Sequence, residues 1–410
     1  MRLIKKIFIA GVLLFAGIAQ VNAQSCDTIT GTICKSIIAD TVFNPYVTGV
    51  LGNWRANKSY TYYARRTEQD PTALTTNIRR DGTFKDFTTF WAFQSSKLTA
   101  NIDTNRWVWN SELTLFNRKG FEVENRDPLG RYNAGLYGYN LTMPVAVVQN
   151  SRYRESAYEG FEDYVFATQV CDTACAATRH IDYSDWRSSI DTTQSHTGLR
   201  SLKVQGSSGA NVGLSFEVKK VTQDDTMPRL NFITKTDACA GAVLDEISTG
   251  KAILLPIFSP VPDKRMLISA WVKEVGDNTF RASYTNNKIV VTDGIKSATF
   301  YPSGSIIEGW QRYESVFPID SASTQFTISL QSIGANAVYF DDLRIHPFNA
   351  NMKSFAFHPV NLRLMAELDE NNYATLYEYD DDGTLIRLKK ETQRGVKTIK
   401  ETRSALVKEN

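Results

Sequence analysis

The sequence predicts an all-β protein, on three observations. Aromatic side chains make up 11% of the 410 residues, with threonine frequent beside them. Short runs of alternating apolar and polar residues sit between Gly, Asn, Asp and Pro, the punctuation of strands and turns. No long stretch keeps the 3.6-residue apolar period of a helix. A chain of this length is expected to hold two or three modules.

Taken in order, the first element is a leader. Arg2, Lys5 and Lys6 precede the apolar run "IFIAGVLLFAGIA", and Val21 to Ala23 end on a small residue. That is the pattern of a signal peptide over residues 1–23, so an exported protein, extracellular or on the cell surface, is expected. The apolar run is shorter than the roughly 20 residues that span a bilayer, and no transmembrane segment is expected in the mature chain. Losing the three basic residues takes the formal charge from +2 to −1, a balance that argues against nucleic acid as a partner. Cys26, close behind the apolar run, raises a lipoprotein alternative, although "AQSC" lacks the aliphatic residue usual three positions before a lipid-bearing cysteine.

Residues 24–150 read as an amino-terminal β-rich module. "NRWVWNSELTLF" alternates aromatics, Asp127 to Gly130 form a turn, and a Tyr/Gly-rich segment follows. Trp107 and Trp109 share one strand face, which suits burial against a neighbouring sheet, with a binding platform as the alternative. The five cysteines, Cys26, Cys34, Cys171, Cys175 and Cys239, are disulfide candidates in an oxidising compartment, and their odd number leaves at least one unpaired or bonded elsewhere. Cys26 with Cys34 would close a local loop. Cys171, Cys175 and His180 supply three zinc ligands where a structural site takes four, which favours a disulfide.

The clearest strands lie in the middle of the chain: "SLKVQ" from Ser201, "LISAWVK" from Leu267, "KIVVTD" from Lys288, "RYESVFPI" from Arg312, "QFTISLQSI" from Gln325 and "AVYFDDLRI" from Ala337. Together with "YEGFEDY" at the start and "GWQRYESVF" before the end, this order of landmarks over 155–348 resembles the jelly-roll β-sandwich of carbohydrate-binding modules and their galactose-binding-like relatives. The resemblance implies two antiparallel sheets packed face to face. It also implies a structural calcium ion, with Glu162 or Asp163 from the first strand, Asp341 or Asp342 from the closing strand, and carbonyls of the loop at 197–199. Calcium takes six to eight oxygen ligands, which carboxylates and carbonyls provide. The other reading is that these acids hold loops by hydrogen bonds without a metal.

Asp341 and Asp342 are adjacent in a strand, so their side chains are expected on opposite faces unless a bulge intervenes, which disfavours a shared-proton catalytic pair. In "LISAWVK" the alternation assigns Ile268, Ala270 and Val272 to the core. Leu267, Ser269, Trp271 and Lys273 fall on the other face, making Trp271, with Ser269 and Lys273, the candidate sugar-stacking platform. In a chain of several modules the favoured reading of that tryptophan is a Trp271 covered by a loop or a neighbouring module.

Residues 349–410 contain a weak internal repeat beginning at Phe355 and again at Tyr377. The second copy, through Tyr377, Tyr379, Asp380, Gly383 and Leu385, resembles the tyrosine-aspartate (YD) repeat of Rhs-type bacterial surface proteins, a β-hairpin with an Asp-rich turn ending in Gly. The first copy departs from it, with His358 and Pro359 at the turn. The segment from Asn105 through Tyr164 also resembles the region flanking such repeats. Acidic residues fill 367–382 and basic ones predominate from 383 onward, so adjacent strands of opposite sign are expected to pair. Two repeats are too few to bury a continuous core, so this segment is expected to pack back on the rest of the chain.

The four histidines, His180, His196, His346 and His358, sit in no nucleophile, zincin or phosphate-loop motif. The reading is an all-β jelly-roll sandwich flanked by antiparallel β modules. Its expected role is a non-catalytic surface protein acting in binding, adhesion or scaffolding, with glycans or another surface protein as partner. The first alternative is a carbohydrate-binding protein using the Trp271 platform. A glycoside-active enzyme is the weaker one, because its carboxylate pair would leave no spacing signature.

Overall fold

The computed structural model describes residues 55–63, 87–100, 102–117, 119–166, 179–215, 230–237, 241–249, 258–276 and 281–402. The leader and all five cysteines, with the disulfide and zinc readings they carry, lie outside the described residues. The described chain is all-β, and its strands form two antiparallel assemblies besides two isolated hairpins. Among the described residues no helix is long and apolar enough to cross a membrane.

The first assembly is a ten-stranded sheet. Its order is Lys58–Tyr62, Trp107–Phe116, Glu122–Arg126, Tyr132–Gly138, Met143–Gln149, Asn351–Phe357, Leu364–Leu368, Ala374–Tyr379, Leu385–Thr392 and Gly395–Glu401. Asn351 pairs with Gln149 and Ser354 with Ala146, so the strands before and after the central module join directly. The segments expected as separate flanking modules at 24–150 and 349–410 therefore contribute to one sheet. The reason is that a meander can be interrupted at a strand end and resumed on the same edge without leaving ladder groups unpaired. The expected charge pairing is present, with Glu378 facing Arg387 at 2.7 Å and meeting Lys389 as well.

One turn recurs along this meander. In the turns starting at Asn117, Asp127, Asp369 and Asp380, the first residue's carbonyl accepts from the amide three residues on. Its side-chain oxygen accepts further amides within the turn. The fourth position is left-handed in each, at Gly120, Gly130, Asn372 and Gly383, with φ of +88°, +76°, +64° and +83°. This is a type I turn closed by a left-handed residue, a hairpin connection that Gly or Asn adopts with least strain. In the divergent copy His358 takes the aspartate's part, its Nδ1 accepting from the amides of Val360 and Asn361. Leu362 there occupies the left-handed position at φ +57°.

The second assembly is the jelly roll. One sheet runs Ser303–Ile307, Trp310–Pro318, Arg265–Glu274, Val338–Pro347, Ser201–Val204 and Ile190–Asp191, with Ala157–Glu159 also pairing on the strand Val338–Pro347. The other runs Gly209–Ser215, Gln325–Ser332, Asn287–Thr292 and Ser297–Phe300. Ile268, Ala270 and Val272 enter the core as the alternation predicts, meeting Ile289, Val291, Phe326, Ile328 and Leu330 from the facing sheet. The closing strand Val338–Pro347 is buried at every position, because the sandwich core covers one face and the ten-stranded sheet the other. Apart from these, Leu230–Asp237 and Gly241–Thr249 form a hairpin with its own ladder, as do Trp91–Gln94 and Lys97–Ala100.

Leu362→Gly is expected to raise stability. It relieves about 1–2 kcal/mol of left-handed strain, which has to exceed roughly 0.5–1 kcal/mol of added unfolded-state entropy and the burial lost from a side chain that is 37% exposed. Leu362→Asn, which also tolerates the left-handed region, separates the strain from the entropy. A denaturant midpoint lower than that of the parent chain would contradict this account of the turn.

Candidate functional site

The closing aspartates sit on a β-bulge. Ser269 pairs with Arg344 and Trp271 with Asp341, so Asp342 and Leu343 share the space opposite Ala270, and Asp342 takes a left-handed φ of +49°. The extra residue cancels the alternation that would have separated the two carboxylates. Both reach the segment at His196 and Thr197. Asp341 Oδ2 accepts from the amides of His196 (2.8 Å) and Thr197 (3.3 Å). Asp342 accepts from Thr197 Oγ1 and Tyr158 OH, each at 2.9 Å, and pairs with His196 Nδ1 at 2.7 Å.

Glu162 approaches the same loop from the start of the jelly roll. Its Oε1 accepts from the amides of Leu199 (2.6 Å) and Arg200 (2.7 Å), while its Oε2 is buried without a hydrogen-bond partner. The loop lies so close that a Cβ on Gly198 would fall 2.2 Å from Oε1. Burial pushes the Glu162 carboxyl up to about 8. Burial, then the charges of Asp342 and Glu162, holds Asp341 well above the usual carboxylate range.

Among the described residues no three or more His, Cys, Asp or Glu side chains converge as a metal-ligand cluster. The test of the calcium reading is therefore the carboxylates themselves. Glu162 fits, through its unpartnered oxygen. Among the described residues Asp341 accepts only backbone amides, from His196, Thr197 and Asp342, and as a buried acid facing other acids it has no cation to balance it. Asp342 is already engaged by His196, Thr197 and Tyr158. Asp163 stands apart from the group, its Oδ2 accepting from the Tyr139 amide at 2.7 Å and its Oδ1 paired with Arg179 at 2.5 Å. Its place in the candidate metal set is corrected to a tie between the jelly roll and the ten-stranded sheet.

The aromatic platform is also corrected. Trp271 has 0% exposure. Its ring stacks on His196 at 4.1 Å and meets the edge of Tyr373 at 5.8 Å, and its Nε1 donates to the carbonyl of Asn372 at 2.8 Å. Ser269 Oγ meets Asn372 Nδ2 at 3.3 Å, and Lys273 lies over Trp310 at 5.9 Å. The face that alternation separates from the core is covered by the turn Asp369–Tyr373. Arg344 donates to the Asp369 carbonyl at 2.6 Å and Arg312 to that of Asn371. Trp271 is thus the floor of a socket for the carboxy-terminal sheet.

Several residues of this junction went unassigned in the sequence. His196 contacts Asp342 on one side and Glu391 (3.1 Å) on the other. Burial opposes its charge, but Glu391 and Asp342 outweigh burial and raise it to about 9. The other histidines are engaged locally: His180 with the Ser156 carbonyl, His346 with that of Pro347, and His358 in its turn. One signal for the bulge was present. Core residues fall on even positions before the aspartates (Val338, Phe340) and on odd ones after them (Leu343, Ile345), the parity change that one extra residue imposes. Trp107 packs against Tyr62, Phe87 and Phe90, and Trp109 lies under Lys58.

No family model matches this chain, and no curated protein does. Solved structures resemble part of it at low similarity. The "Family 16 Carbohydrate Binding Module-2" is 12% identical, covering 38% of this chain and 82% of its own, with a TM-score of 0.21. The C-terminal family 22 carbohydrate binding module of Clostridium thermocellum Xyn10B is 10% identical over 48% of this chain and 87% of its own, at 0.21. A "Xylan-Binding Domain from CBM 22" is 9% identical over 47% and 86%, also at 0.21. Likeness at this level supplies no argument about ligand or activity.

Two outcomes are expected from this junction. Trp271→Phe keeps a ring on His196 but removes the donor to Asn372, and should cost about 1–3 kcal/mol for the carbonyl left unsatisfied, read as a lower denaturation midpoint. A midpoint equal to the parent's would remove that bond from the account. In chelator, stability should fall as pH rises from 6.5 to 9. Glu162 is raised from 4.5 to about 8 in the folded state and His196 from 6.5 to about 9. A group raised on folding stabilises fully below its unfolded value and loses that contribution through its folded value. Glu162→Gln should flatten the decline below pH 8. Melting temperatures that climb over this range would refute the assignment.

Proposed function

We propose that this is an exported, non-catalytic carbohydrate-binding protein in which the jelly roll is the binding unit and the ten-stranded sheet its support. The observation that carries the division into binding unit and support is the direct pairing of Met143–Gln149 with Asn351–Phe357. The jelly roll leaves and rejoins the supporting sheet at one place, and the turn Asp369–Tyr373 caps its Trp271 face, so it is presented in one orientation. The order of strand landmarks that resembles carbohydrate-binding modules supports carbohydrate as the ligand class, with recognition away from Trp271. The recurring Asx turn of the meander supports a second reading, a Rhs-like surface scaffold whose partner is another surface protein.

In the same proposal Glu162 and Asp341 hold a structural calcium ion. The ion would supply positive charge to acids that burial otherwise keeps protonated, tying the start of the jelly roll to its closing strand. A ligand that binds only the folded state raises its stability by mass action. Chelation should therefore lower the melting temperature, calcium should restore it, and Asp341→Ala should abolish the difference. Identical melting curves with and without chelator would dismiss the ion.

The ligand class is tested on a glycan array with the mature protein. Saturable binding to at least one glycan, retained in Trp271→Phe, is expected. Absence of binding to every glycan would favour the scaffold reading instead.

A further inference from the structure

We propose that the jelly roll carries a subsite for a single neutral sugar ring in the cavity at the end of the strand Arg265–Glu274. This deepens the carbohydrate reading and rests on it. The cavity has a volume of about 250 Å³ and is lined by Glu274, Arg281, Tyr284, Asn286, Ile306 and Asn336, among others. That is below the roughly 300–1,000 Å³ of sites for drug-sized ligands, which suits one ring rather than a chain.

The polar groups are held in place by the fold. Glu274 Oε1 accepts from the Asn286 amide at 2.6 Å and from Asn287 Nδ2 at 2.7 Å. Its Oε2 has longer contacts, to Arg281 at 3.3 Å and to Asn286 Nδ2 at 3.4 Å. The strongly held oxygen fixes the carboxylate, and the weakly held one keeps acceptor capacity for a hydroxyl. Arg281 balances the charge of Glu274, so the cavity favours a neutral ligand over an ionic one. The Tyr284 hydroxyl donates to the Gly309 carbonyl at 2.7 Å, which fixes its half-buried ring. Tyr284 and Ile306 supply apolar surface for the C–H face of a sugar, and an acid, a guanidinium and two amides supply partners for its hydroxyls. A Cβ on Gly276 would lie 2.3 Å from Asn336 Nδ2, so glycine there makes room for the Asn336 amide at the rim.

The test is titration of the intact protein with the methyl glycosides of glucose, galactose, mannose and xylose, followed by saturation-transfer NMR. Asn336→Ala, Tyr284→Ala and the cavity-filling Ile306→Phe are compared with the parent, and each variant's melting curve is recorded. At least one glycoside should bind saturably, and each variant should weaken it by about tenfold or more, the loss of roughly one well-made polar or stacking contact. If Tyr284→Ala does not fold, the rim variant Asn336→Ala and Ile306→Phe decide the matter. A glycoside that binds the parent and these variants equally overturns the subsite and leaves the carbohydrate reading standing. Absence of saturable binding by all four overturns the subsite, and the glycan array then judges the broader reading separately.

Discussion

A carboxylate without access to water must find partners inside the protein, and the rest of this structure is arranged around that demand at Asp342. The residue has 0% exposure, where an isolated charge would cost several kcal/mol or more. Its partners come from separate parts of the chain: Tyr158 at the start of the jelly roll, and His196 with Thr197 on the loop before Ser201–Val204. His196 passes the connection on to Glu391 in the carboxy-terminal strands. Separating any of these segments removes a partner from a buried acceptor, so they are held together as a unit.

A second set of contacts works through neutral groups. The turn Asp369–Tyr373 points carbonyls at the jelly roll, and Arg344, Arg312 and Trp271 donate to three of them. Turn carbonyls are normally hydrated, so burying them requires donors on the opposing surface. Arg344 also bonds Ser354 in the adjoining strand. The arginine in the completely buried strand Val338–Pro347 is explained by this second interface.

Much of the architecture was legible because alternation is a local property. Ile268, Ala270 and Val272 face the core as their spacing predicts, and the Asp-to-Gly turn at Asp380 forms as its residues dictate. The candidate site was less legible. Glu162, Asp341 and Asp342 all bond the loop at 196–200 without converging as a cluster, and the bulge that turns both aspartates to it shows only as a parity change in the apolar positions. Trp271 could be read as a platform or as a covered residue, because a strand's alternation says which side a residue faces and not what lies there. Its cover, Tyr373 and Asn372, is about a hundred residues away in the chain.

The sequence by itself determined the all-β class, the central strands, the turns at Asp127 and Asp380 and the core face of the strand holding Ile268, Ala270 and Val272, because these depend on side-chain periodicity and on the backbone preferences of Asp, Asn and Gly. Only the tertiary structure decided that strands on either side of the jelly roll belong to one sheet. It alone decided that Trp271 lies beneath a turn, that Asp163 belongs to Arg179, and that Glu274, Tyr284 and Asn336 border one cavity. Those outcomes depend on pairing between distant segments, where the free energy resides in burial and in the mutual satisfaction of buried polar groups, and neither quantity is written in any local stretch of residues.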